Sequence, residues 1–153
     1  MDAARFMGEA QPMLPKLYRI AYCVLRSRAD AEDAVQQGML KAWAAKDKIR
    51  PDSFRPWVTR IVINESRNIQ RYRLRVAPSD APPAEEPFEP PDPDVMEAVY
   101  ALPENFRIPF ALKYVGNYRE REVAGALRLP LSTVKSRLAR ARQALRGALT
   151  EEG

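Results

Sequence analysis

The residues of this 153-residue chain best suited to chemistry are cations, amides and hydroxyls rather than nucleophiles. Six basic residues and no acidic one lie between Val123 and Thr150, inside the segment REREVAGALRLPLSTVKSRLARARQALRGAL. At helical spacing Val134, Leu138, Ala141, Leu145 and Leu149 share one face, while Thr133, Ser136, Arg137 and Arg140 share another. A break over Leu127–Leu131 separates a short helix from this longer one. That is the layout of a helix-turn-helix whose second helix enters a major groove. Its start would lie near phosphate, and its arginines would reach phosphates or guanine edges. A basic, solvated face on an ordinary bundle helix has the same periodicity.

A second cluster lies in FRPWVTRIVINESRNIQRYRLR. Phe54, Trp57, Val58, Ile61 and Val62 form an apolar stripe. Asn64, Glu65, Ser66, Arg67 and Asn68 then interrupt it as a short polar loop, with Arg71, Arg73 and Arg75 after it. Cations beside such a loop could track a single strand while the loop captures an unstacked base. Trp57 reads as core rather than as a stacking platform, and Asn64 would equally serve as a helix C-cap. A third cluster, AEDAVQQGMLKAW, has two faces at 100° per residue. Ala31, Ala34, Val35, Gly38, Met39 and Ala42 should be buried. Asp33, Gln36, Gln37, Leu40 and Trp43 lie opposite. An apolar Leu40 amid that polar face suits docking to another protein, or else cover by a neighbouring helix; the wheel does not separate the two.

Other chemistries have little to stand on. There is no histidine, and Cys23 is the only cysteine. A disulfide within the chain is impossible, and a zinc site would rest on carboxylates. No nucleophile–base pair, phosphate loop or metal cluster is legible, so the expectation is a protein that is not an enzyme and uses no cofactor or metal. The net charge of +5 favours polyanionic partners, weakly at this size. No apolar run approaches the roughly 20 residues that span a bilayer. Asp2 and Glu9 stand where a secretory signal would be basic and then apolar, so the chain reads as cytoplasmic, without membrane insertion.

Elements that could position these clusters are helical throughout. Seven of the fourteen prolines, with six acidic residues and no basic one, fall in VAPSDAPPAEEPFEPPDPD. This stretch predicts an extended, semi-rigid, acidic linker over residues 76–94. It divides the chain into residues 1–75 and 95–153, two small helical domains of an all-α fold. In the first, Leu14, Leu17, Tyr18, Ala21, Tyr22 and Leu25 make a helical stripe. A second helix is expected over about 29–45, and a third begins near Ser53, an N-cap after Pro51. In the second half, helices are expected over 94–102, 104–116, 119–128 and 130–150, with Pro109 perturbing the second of these.

The motifs LPENFR, EVAGAL and TVKSRLARAR resemble the second promoter-binding domain of extracytoplasmic-function sigma factors, which reads the minus thirty-five element. On that resemblance Leu102, Pro103 and Arg107 match the start of the domain. Glu122, Val123 and Ala124 match its Glu-Ile-Ala step, and Thr133 to Arg142 its recognition helix. Arg128 and Ser132 depart from positions where the family often has glycine. The AEDAVQQGMLKAW segment resembles the sigma region that binds the coiled coil of the polymerase's largest subunit. Asp33, Gln36, Leu40 and Trp43 fit it; Gln37 and Met39 depart. WVTRIVINESRN resembles the family's Trp-Leu-x-Arg-Ile-x-x-Asn signature, after which a loop captures a flipped base of the minus ten element.

The resemblance implies a region 2 bundle, a linker and a region 4 helix-turn-helix, in that order. It implies RNA polymerase core, bound through Asp33, Gln36, Gln37, Leu40 and Trp43, as one partner. Promoter DNA is the other, as melted single strand at Arg60, Asn64, Glu65, Ser66, Arg67, Asn68 and Arg71. As duplex it would meet Ser132, Thr133, Lys135, Ser136, Arg137, Arg140 and Arg142. An anti-sigma factor is a further partner that the resemblance allows. The rival readings are a stand-alone helix-turn-helix regulator binding operator DNA, and an interaction protein with a sigma-like fold that sequesters a sigma inhibitor. The first leaves the Leu40 face and the Trp57–Asn68 segment idle; the intact basic helix counts against the second.

Overall fold

The computed structural model describes residues 1–50, 53–75 and 93–151, and all its regular structure there is helical. Helix α1 (Ala3–Ala10) opens on Asp2, whose carboxylate accepts the Arg5 amide at 2.8 Å. Helix α2 (Leu14–Leu25) carries a proline in its first turn, where no amide is needed, and stops at Arg26 in the left-handed region. Ser27 then caps α3 (Arg28–Ala44) by accepting the Asp30 amide at 3.2 Å. Helix α4 (Phe54–Arg75) is the long strut of the first half. Its far end is tied back to the start of α3 by Arg73 and Asp30, 2.6 Å apart.

Helices α3 and α4 cross closely at Gly38. A Cβ there would lie 2.8 Å from Val62 Cγ2 and 3.3 Å from Val62 Cα. The crossing therefore demands a residue without a side chain, although glycine costs an isolated helix about 1 kcal/mol relative to alanine. Around it, Phe6, Leu17, Ala21, Ala34, Val35, Val58 and Val62 build the first core.

The second half comprises α5 (Pro93–Tyr100), α6 (Glu104–Phe110), α7 (Glu120–Leu127) and α8 (Leu131–Glu151). Pro109 is buried inside α6, and the helix widens beyond it into a π turn over Ala111–Val115 instead of running straight to residue 116. Between α7 and α8, Arg128 adopts φ 53° and ψ 46°, and the Leu129 amide donates to the Ala124 carbonyl at 3.0 Å. This left-handed cap turns the chain into α8.

The two halves are not held apart. Ile20 and Val24 of α2 and Ile63 of α4 share one buried cluster with Ile108, Leu112, Tyr118, Val123, Val134 and Leu138. Thr59 and Tyr118 are hydrogen-bonded across this seam at 2.6 Å, and Arg55 covers the Tyr118 ring at 4.0 Å. Arg55 also pairs with Glu122 at 3.3 Å and Arg67 with Glu104 at 3.2 Å, while the Tyr100 hydroxyl donates to the Tyr22 carbonyl at 2.7 Å. The two helical units expected from the sequence are thus also packed against each other through their apolar faces. The expected acidic linker lies, but for its last two residues, outside the described residues; Pro93 and Asp94 already belong to α5.

Candidate functional site

Three surfaces carry the residues singled out from the sequence. On α3 the two faces separate as expected. Ala31, Ala34, Val35, Gly38 and Ala42 are buried, with Met39 half-buried, while Asp33, Gln36 and Gln37 are exposed. Leu40 is 63% exposed, so no neighbouring helix covers it. Trp43 sets one edge against Phe6 at 5.2 Å, and Lys46 lies over its ring at 4.1 Å. Leu40, Trp43 and Phe6 line, with Met7, Leu14 and Tyr18, an apolar groove of about 510 Å³ between α1, α2 and α3. The contribution of α1 is one that the wheel for α3 alone does not contain.

On α4 the structure departs from the sequence reading. Residues Asn64 to Asn68 are not a loop: α4 runs unbroken from Phe54 to Arg75, and Asn64 is no C-cap. The polar run stays helical because tertiary partners take it up. Ser66 is buried and donates back to the Val62 carbonyl at 2.8 Å, a bond made inside helices. Glu65 is nearly buried and pairs with Lys41 of α3. Arg67 is held by Glu104. Glu65 is thus turned towards α3 and Ser66 is engaged within α4, both buried. Asn64, Asn68 and Arg71 are exposed along α4, and Arg60 is half-buried one turn earlier. Burial first, and then the positive charge of Arg128, hold the Arg60 guanidinium below its ordinary pKa. Trp57 is half-buried beside Phe54, with ring centroids 6.5 Å apart, as a residue of the core margin.

On α8, Val134, Leu138, Ala141 and Leu145 are buried and Ser132, Lys135, Ser136 and Arg140 exposed. Thr133, Ser136, Arg137 and Arg140 come together in one shallow groove of about 340 Å³, closed on its other side by Asn105 and Phe106 of α6. The last two residues were missed, although they sit inside the LPENFR motif; only the packing of α6 beside α8 brings them to the groove. Arg142 stands apart and donates to the Tyr114 hydroxyl at 2.9 Å. Glu122 steadies the module twice over. Its carboxylate accepts the Arg119 amide at 3.0 Å, capping α7, and also meets Arg55 of α4. A groove with two arginines, three hydroxyls (Ser132 included) and an amide can donate to base edges and phosphates alike.

Among the described residues no cluster of potential metal ligands occurs, and no helix is long and apolar enough to cross a membrane. Cys23 is fully buried, and burial pushes its thiol up to about 12.

The profile of sigma-70 region 2 matches residues 10–76, and that of sigma-70 region 4 matches residues 94–145. Among curated proteins, the chain is similar to the ECF RNA polymerase sigma factor SigE of Mycolicibacterium smegmatis. The two are 29% identical over 89% of this chain. The ECF RNA polymerase sigma-E factor of Escherichia coli is 32% identical over 76% of it. The chain spans 58% of the length of the first and 72% of the second. Among solved structures, it superposes with a TM-score of 0.79 on the sigma factor RpoE from Bartonella quintana, seen in complex with the anti-sigma factor NepR. That match has 26% identity and covers 95% of this chain and 97% of the other. CnrH, in complex with the cytosolic domain of CnrY, gives the same score at 25% identity, covering 99% and 92%.

Proposed function

The chain belongs to the ECF sigma factors of the sigma-70 family, and from that premise we propose that it directs RNA polymerase core to specific promoters and assists their opening. It acts in the cytoplasm without catalytic chemistry of its own, using no cofactor. The observation that carries the reading is the coexistence on one chain of the exposed Leu40 groove and the Thr133–Arg140 groove. A stand-alone operator-binding protein needs the second and has no use for the first.

In this reading Asp33, Gln36, Gln37, Leu40 and Trp43 hold core polymerase, the apolar pair at the centre and the amides and carboxylate at the rim. Arg60, Asn64, Asn68 and Arg71, the accessible members of the α4 set, face the non-template strand of the minus ten element. Glu65 and Ser66 support α4 from behind, and Arg67 becomes available only when it leaves Glu104. Ser132, Thr133, Lys135, Ser136, Arg137 and Arg140 read the minus thirty-five duplex, joined by Asn105 and Phe106, with Arg142 towards phosphate. An anti-sigma factor is a further partner, in keeping with the relatives seen bound to NepR and to CnrY.

Distance sets one condition. The two elements are about 25 base pairs apart, or roughly 85 Å along duplex DNA at about 34 Å per turn. A folded chain of this size has a radius of gyration of about 15 Å and is some 40 Å across. The closed packing of the two halves cannot reach both elements. Seventeen residues between α4 and α5 could span at most about 61 Å, enough for the halves to part once polymerase holds each of them.

Run-off transcription with purified core polymerase tests the proposal. Promoter-specific transcripts should require the chain, and Leu40→Asp should abolish them while leaving helicity intact. Sequence-specific binding of duplex by the chain alone, with no transcript in the presence of core, would return the protein to the operator-binding class.

A further inference from the structure

Helix α4 carries three aromatic side chains, and each meets a different environment. Phe54 is buried, and Trp57 is half-buried beside it. Tyr72 is 57% exposed and has no ring, cation or hydrogen-bond partner among the described residues. Single exposed aromatics are common on protein surfaces. What sets Tyr72 apart is its company. At 100° per residue Asn64, Asn68, Arg71, Tyr72 and Arg75 fall within one face about 100° wide, and all five are exposed.

The charge of this face complements a polyanion. Arg67 and Arg73 are engaged, with Glu104 and Asp30. Arg71 and Arg75 have no ion pair among the described residues. Glu65, the one carboxylate between Asn64 and Arg75, is turned away to Lys41. Asn68 lies one turn before Tyr72, at the i, i+4 spacing that brings Cβ atoms to about 5–6 Å. An amide that can pair with a base edge therefore stands beside a ring that can cover a base face. A guanidinium before the ring and another after it along the helix can reach phosphates.

We infer that Tyr72 is a stacking platform for an unpaired base of single-stranded DNA, whose edge meets Asn68 and whose flanking phosphates meet Arg71 and Arg75. This role rests on the reading of α4 proposed above, as the face of the non-template strand, and extends it. Tyr72 lies four residues beyond the WVTRIVINESRN segment that carries the resemblance and is not among the residues that the resemblance implies. It supplies what the rest of the helix lacks. The polar run Asn64–Asn68 is helical rather than a base-capturing loop, and Trp57 belongs to the core margin, so Tyr72 is the most accessible ring of α4. Stacking needs a bare base face, which duplex DNA hides except at its ends. The ring therefore favours the melted promoter over the closed one.

The test uses holoenzyme on a promoter that it transcribes, offered as a pre-melted bubble. Its non-template strand carries a single abasic site, moved one position at a time. Tyr72→Ala should weaken binding to the intact bubble about tenfold, within the range for losing one base–aromatic stack. One abasic position that weakens the parent by a similar factor should weaken Tyr72→Ala no further. Tyr72→Phe should behave as the parent, and Tyr72→Leu, apolar but not planar, as Tyr72→Ala. All three variants should keep the parent's Tm, because the side chain is exposed. The platform alone is refuted if the parent transcribes the promoter and Tyr72→Ala holds the bubble equally well, or if its defect adds to that of every abasic site alike. It is refuted too if Tyr72→Ala loses core polymerase in the absence of DNA, which would give the ring to a protein partner. If the parent directs no promoter-specific transcript, the reading of α4 falls and the platform with it.

Discussion

The hydrogen bond between Thr59 and Tyr118 gives the sharpest test of the seam, because its two ends are not equivalent. Thr59 Oγ1 donates its one proton to the Arg55 carbonyl at 2.7 Å. In the 2.6 Å contact with Tyr118 it must then accept, so the phenol is the donor. Tyr118→Phe removes that donor and leaves a hydroxyl still hydrogen-bonded to Arg55. The loss is that of one net hydrogen bond, about 0.5–1.5 kcal/mol. Thr59→Val removes the acceptor and strands a phenol whose residue is only 2% exposed. That adds the desolvation cost of an orphaned donor, about 1–3 kcal/mol. Thr59→Val should therefore be the more harmful by about 1–3 kcal/mol, a factor of roughly five to a hundred and sixty in the equilibrium. Urea unfolding of the full chain, compared at equal m-value, measures both changes. Small-angle scattering shows whether the weakened seam has opened. If Tyr118→Phe costs as much as Thr59→Val or more, the donor has been assigned the wrong way round and the asymmetry argument collapses.

Three further expectations follow from the same packing. Gly38→Ala should destabilise the chain by about 1 kcal/mol net, since overpacking against the Val62 backbone costs about 1–3 kcal/mol and the better helix former returns about 1; a rise in Tm would show that the α3–α4 crossing has slack. Arg137→Ala and Arg140→Ala should leave Tm unchanged and weaken holoenzyme binding to the upstream element, by about 1–3 kcal/mol and at one position for a base contact. A uniform loss with a salt slope reduced by about one would mean phosphate instead, and no change in affinity, preference or slope would remove α8 from promoter reading. Burial raises the Tyr118 phenol and pushes the Cys23 thiol up to about 12. Both groups fold in their protonated forms, so their stabilisation is complete below the ordinary pKa values and drains away as pH rises past about 9. Cys23 should resist an aromatic disulfide reagent at pH 8 until urea is added; prompt reaction in buffer would contradict its burial.

Much of this was legible in the sequence, for a physical reason. Along α3 and α8 the apolar residues recur at helical spacing because each helix presents one stripe to a core. Ala31, Ala34, Val35, Val134, Leu138 and Ala141 could be assigned to the inside before any fold was known. The Asn64–Asn68 segment was not legible. A run of five polar residues looks like a loop until its partners are known, and those partners lie far along the chain: Lys41 for Glu65 and Glu104 for Arg67. The seam was hidden for the converse reason. Ile20, Val24 and Ile63 fall outside the stripes assigned to the core of the first half, and nothing in their spacing says that the second half covers them.

That shared cluster has a consequence for the chain's life outside a complex. A surface with Ile20, Val24, Ile63, Ile108 and Tyr118 on its two faces is adhesive whenever the faces part. An opened chain in free solution would present two complementary apolar patches to every other copy, and exchange of halves between copies is the predictable accident. The closed form is thus a means of staying dispersed. Under the proposed function, a state with the halves parted would leave these side chains in need of another cover.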